Sequence, residues 1–158
     1  MQASETIWDE RSALERLTRI LPGFRGYQLR DHRRETDALL CGFALHRLDQ
    51  VRARVEQTQS QVEARERAPY RGIARRLARL CEDLAMRGPL GSVEPSGAAA
   101  AKALDALYAQ EEDVVRAVVS LSVAVHERGT RPEDLVRELD RVERGLARRR
   151  ELLVSLLG

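Results

Sequence analysis

Along this chain apolar residues return every three or four positions, the spacing that gathers side chains on one side of an α-helix. Ile7, Leu14, Leu17 and Leu21 form the first stripe. Thr6 is placed to cap it, with Asp9 as partner, and Pro22-Gly23 stops it. A second stripe, Cys41, Ala44, Leu48, Val51, Val55, Thr58 and Val62, has heptad spacing and predicts a helix from about Tyr27 to Arg67. Pro69 must break or bend it near Ala68, because proline lacks the N–H that an interior turn needs. Tyr70, Ile73, Leu77, Leu80 and Leu84 resume the seam, either as a third helix or as a bent continuation of the second. The few residues between favour a bend.

Gly88 to Gly97, rich in glycine, proline and serine, is the clearest loop and divides the sequence into halves. From Ala98 a long helix should reach Glu127, burying Leu104, Leu107, Tyr108, Val114, Val118, Leu121 and Val125. Its valine-rich part also suits a strand, but it continues a helical pattern without an intervening turn. Gly129 ends this helix, and Thr130-Arg131-Pro132-Glu133 reads as a capping box with proline in the first turn. Leu135, Leu139, Val142, Leu146, Leu153 and Leu156 form the last stripe, interrupted by Arg149. The pattern predicts an all-α protein: a four- or five-helix antiparallel bundle with long helices, kinked or divided at Pro69, in one domain over 1–158.

Composition adds little to that picture. The 158 residues are 33% charged and 43% hydrophobic, a balance that suits packed helices. The net charge is only +2, from 27 basic and 25 acidic residues, so arginine abundance alone does not indicate nucleic acid. The opening Met1-Gln2-Ala3-Ser4-Glu5-Thr6 has neither a basic stretch nor an apolar run, which predicts no secretory leader and a cytoplasmic location. Val114–Val125 contains Arg116 and falls short of the roughly 20 residues a membrane span needs. Cys41 and Cys81 lie on apolar faces and are expected to be reduced core thiols.

Candidate chemistry is sparse. A carboxylate-bridged di-iron bundle needs two Glu-x-x-His pairs, and none occurs. His32-Arg33-Arg34-Glu35 runs in the reverse order, and His46 and His126 stand apart from other ligands. Two cysteines give no zinc spacing, and no phosphate-cradling or dinucleotide loop is present. Neither a metal nor a cofactor is therefore expected.

One segment offers more than packing. Phe24, Arg25 and Tyr27, followed by Arg30, Arg33 and Arg34, place arginines near a helix start, where they suit a phosphate or an acidic partner. The alternative is that Phe24 and Tyr27 plug the end of the bundle while the arginines pair with Asp31, Glu35 and Asp37. The run Pro22-Gly23-Phe24-Arg25-Gly26-Tyr27, with Arg30, Arg33-Arg34-Glu35 and Asp37 after it, resembles a group of bacterial helical proteins in which a Pro-Gly-x-x-Gly-Tyr turn opens a charged helix. Leu104-Asp105-Ala106-Leu107-Tyr108 is similar to a later segment of that group. Arg30-Asp31-His32 stands where the group has Arg-Glu soon after the tyrosine. The resemblance implies a helical fold and brings neither an activity nor functional residues with it.

The resulting expectation is a non-catalytic helical protein-interaction module, an adaptor, scaffold or assembly subunit. Its partner is another protein or a second copy in a homodimer. Leu152, Val154 and Leu157 are the self-association candidates, since one buried stripe does not accommodate them all. The alternative is a binder of nucleic acid or an anionic membrane surface through Arg30/Arg33/Arg34, Arg71/Arg75/Arg76/Arg79 and Arg148/Arg149/Arg150.

Overall fold

A computed structural model describes residues 12–158, which form five α-helices joined by turns, with no strand among them. They are α1 (Ala13–Ile20), α2 (Arg30–Gln61), α3 (Arg67–Ala85), α4 (Gly97–His126) and α5 (Pro132–Leu157), with a 3-10 turn at Ala64–Glu66. Ser12 caps α1 by accepting from the Glu15 N–H at 3.3 Å. The expected cap at Thr6 and the stripe residue Ile7 lie outside the described residues.

The bend at Pro69 is corrected: the chain reverses, and it does so earlier. Val62 and Glu63 are both extended, with ψ of 161° and 151°, so α2 ends at Gln61. Pro69 then sits in the first turn of α3, where a missing N–H leaves no carbonyl unpaired. The physical reason is burial. The stripe of Leu48, Val51 and Val55 and that of Ile73, Leu77 and Cys81 cover each other only if α3 folds back on α2. At the far end of this hairpin Arg87 approaches Asp37, at 3.9 Å.

Gly129, with φ of +79°, leads out of α4 into the second hairpin, and Pro132 opens α5. The cap falls one residue later than the sequence suggests. The Arg131 N–H donates to the Asp134 carboxylate at 3.2 Å, while Thr130 turns back to donate to Glu127 O at 3.1 Å. That backbone bond holds the Asp134 carboxyl below its ordinary range, helped by Arg137.

The hairpins α2/α3 and α4/α5 pack side by side, α2 against α4 and α3 against α5, while α1 lies on α4. Arg76 of α3 fastens the second contact through Asp140 at 2.5 Å and Glu143 at 2.7 Å. Segment 86–96 therefore crosses one end of the bundle to join α3 to α4, which is not α3's packing neighbour. That end also holds α1, the turn before α2 and the last turns of α5. Their side chains form a second core around Leu17, Phe24, Tyr27, Leu107 and Leu157, distinct from the bundle's central core.

This second core corrects the reading of the C-terminal leucines. Leu157 is 1% exposed, and Leu152 is half-buried against the same cluster. Only Val154 stands out, at 62%. A wider face of α5 is covered here than a two-helix seam would cover, because α1 and Leu90 of the crossover add surface beyond the four long helices.

Candidate functional site

The crossover end of the bundle carries the protein's densest chemistry. The Pro22–Leu29 turn is fixed first. Gly26 has φ of +88°, and a Cβ there would lie 2.4 Å from the Tyr108 hydroxyl, so conformation and space both require glycine. Thr36, on the first turns of α2, donates to Gly26 O at 3.0 Å and accepts from the Arg25 N–H at 3.4 Å. The Tyr27 N–H donates to Tyr108 Oη at 2.9 Å. Phe24 meets both tyrosines edge-on, with ring centroids 6.2 and 6.3 Å away.

Tyr27 therefore points inward, into a sealed polar network. Its hydroxyl donates to Glu111 Oε1 at 2.5 Å. Arg149 reaches in from α5, donating from Nε to Glu111 Oε1 at 2.9 Å and from Nη2 to Tyr27 Oη at 2.9 Å and Asp37 Oδ1 at 2.6 Å. Cys41 Sγ donates to the same Asp37 oxygen at 3.6 Å. One guanidinium thus joins α2, α4 and α5. Burial pushes the Glu111 carboxyl up to about 7, against the opposing pull of Arg149 and the Tyr27 hydroxyl, and Glu111 Oε2 has no hydrogen-bond partner among the described residues. Burial also raises the Tyr27 hydroxyl and the Cys41 thiol, and it pushes Cys81 up to about 11. Both cysteines are free and buried, and neither is poised as a thiolate.

Outside this network lies an open cleft of about 610 Å³. One wall is the first turns of α2, where Arg30, Arg33, Arg34, Asp37 and Ala38 share a face at helical spacing. The other wall is the end of α3 with Arg87 and the backbone of 88–92. Arg33 is 2% exposed: its Nε donates to Tyr27 O at 2.8 Å and its Nη1 to Gly91 O at 3.2 Å, while Nη2 finds no partner among the described residues. Gly91 lies so close to the end of α5 that a Cβ would fall 2.1 Å from Leu157 O, and the neighbouring Val93 N–H donates to that same oxygen at 3.1 Å.

The structure thus brings Arg30, Arg33 and Arg34 together and adds Arg87, which the sequence did not single out. Phe24 and Tyr27, proposed above as partner contacts, are 3% and 0% exposed and are corrected to an aromatic plug. Arg25 is exposed, 3.5 Å from the His32 ring. The pairing of arginines with Asp31, Glu35 and Asp37 is also corrected. Asp37 is taken by Arg149 and Arg87, and none of Arg30, Arg33 and Arg34 forms an ion pair among the described residues. In the other arginine clusters Arg76 is spent on α5, Arg148 pairs with Glu151 and Arg149 is buried, while Arg71, Arg75 and Arg79 are exposed at successive i, i+4 positions of α3. Among the described residues, no three candidate metal ligands gather in one place, and no helix is long and apolar enough to cross a membrane. No protein-family model, no curated protein and no solved structure matches the chain.

Proposed function

We propose that the chain is a non-catalytic helical protein-interaction module that grips an anionic group of its partner in the arginine cleft. One observation carries the reading: four arginines line a single cleft, and its one carboxylate, Asp37, is already committed to Arg149. Three like charges without an ion pair among the described residues, beside a fourth, favour an anion between them. The protonated, buried thiols support the non-catalytic part of the reading. The framework supports the rest, since the α2 wall is tied through Asp37 to the Tyr27–Glu111–Arg149 network and the facing wall is tied by Gly91 O to Arg33 and by the Val93 N–H to Leu157 O.

Selection of random peptides on the immobilised full chain tests this. Acidic peptides should be enriched, and an Arg30→Glu/Arg34→Glu variant, altered at two exposed positions, should lose them. Enrichment without acidic bias, or unchanged in the variant, would overturn it. Binding to duplex or single-stranded nucleic acid with a steep loss across rising salt would instead support an arginine–phosphate surface spread over the molecule.

A further inference from the structure

We infer that the anion this cleft is built for is a phosphate monoester on a protein segment, read together with apolar residues flanking it. The inference rests on the reading of the cleft as the partner surface and names the chemistry it selects.

Two of the Arg33 nitrogens are fixed on main-chain carbonyls, Tyr27 O in the turn before α2 and Gly91 O on the facing wall, so the guanidinium is held in place before any ligand arrives. Its Nη2 is buried and has no partner among the described residues, although a buried charged donor is normally satisfied. With no ion pair of its own among the described residues, Arg33 leaves its positive charge beside the cleft for an anion to compensate. The cleft also presents several charges, from more than one side. A carboxylate carries one charge on two coplanar oxygens. A phosphate monoester carries up to two charges and three terminal oxygens set tetrahedrally, and so accepts from guanidinium groups on more than one side. Arg30, Arg33 and Arg34 come from α2, and Arg87 comes from the facing wall.

Leu29, Met86 and Val93 are 60%, 81% and 54% exposed, and each adjoins a cleft-lining residue in the chain, Arg30, Arg87 and Ser92. Exposed apolar side chains next in the chain to cleft-lining residues suit a ligand with apolar groups beside its phosphate. A phosphorylated serine or threonine between apolar residues has that form, whereas inorganic phosphate or a sugar phosphate would leave the rim uncovered.

The test titrates the isotope-labelled full chain, followed by NMR, with four probes: a leucine-flanked phosphoserine peptide, the same peptide with glutamate in place of phosphoserine, inorganic phosphate, and a nucleoside monophosphate. The phosphopeptide should bind at least tenfold more tightly than the other three. It should shift the Arg33 side-chain and Gly91 amide signals, and lose at least tenfold in affinity in Arg30→Glu/Arg34→Glu, whose fold is checked by circular dichroism. Equal affinity for the glutamate peptide would overturn the phosphate inference and leave the interaction reading standing. Equal affinity for inorganic phosphate or the nucleotide would overturn the protein source. Shifts confined to residues away from the cleft, or affinity unchanged in the variant, would overturn the site. No binding by any probe, together with no enrichment in the peptide selection, would overturn both readings.

Discussion

Arg149 sits where a leucine would continue the α5 stripe, and its charge is tolerated because two carboxylates and a phenol meet it there. Removing one member of a buried ion pair strands the others, so Arg149→Met should cost about 3–5 kcal/mol in urea unfolding, although methionine fits the volume. Glu111 gives a signed pH dependence. Its folded-state value of about 7 lies above the ordinary 4.5, so the folded chain binds more protons than the unfolded one between those values. Its contribution to stability is complete below about pH 4.5 and is lost as pH rises through about 7. The wild type should therefore lose stability relative to Glu111→Gln across that interval, and a constant difference between the two would refute the assignment. Gly26→Ala should lower stability by roughly 1–3 kcal/mol, because the added Cβ meets Tyr108 Oη in a left-handed backbone. Part of this was legible beforehand. Arg149 stood out as an interruption of the seam, but it was grouped with Arg148 and Arg150 as an anion contact and its buried partners were not foreseen. Glu111 occupies an equivalent place after Leu104, Leu107 and Tyr108 and was passed over among neighbouring charges. Arg87 carried no signal, because its place in the cleft depends on how the chain returns from α3.

At the level of elements, the stripes located every described helix, and the breaks near Gly23, Gly88 and Gly129 fell where turn residues gather. What the stripes did not settle was the boundary between α2 and α3. Periodicity runs on through Val62, and nothing in the polar run Glu63–Glu66 distinguishes a bend from a reversal; the facing stripes decide it. The end of α5 shows the same dependence on distant partners. A helical projection leaves Leu157 with no place on a two-helix seam, yet α1 and the crossover enclose it. Leu157→Ala should accordingly cost roughly 2–5 kcal/mol, as for a core leucine, while Val154→Ser should stay within about 0.5 kcal/mol. Thermal unfolding of the two variants separates these outcomes, and similar small losses in both would place Leu157 outside the core.

For the molecule as a whole, all-α packing followed from the pattern of apolar positions, but the arrangement of the hairpins did not, because a stripe records that a face is buried and not which helix buries it. The arrangement makes segment 86–96 a link between two hairpins whose contacts lie elsewhere. Across that division run the central apolar core, the Arg76 pairs with Asp140 and Glu143, and the Arg149–Asp37 bond. Interfaces of this kind, with apolar side chains interdigitated between long helices, hold without covalent continuity. Glu94 and Ser96 are exposed and lie past the contact of Gly91 and Val93 with α5, so a protease site inserted between Glu94 and Ser96 leaves the cleft wall attached to the first hairpin. After cleavage the two fragments should co-elute on size exclusion as one species of the original size, with circular dichroism unchanged. Each hairpin expressed alone should be largely unfolded or aggregated, since its apolar face then meets water. Fragments that separate without denaturant, or a hairpin that folds by itself, would show that the halves are independent units and that the buried network is not what joins them.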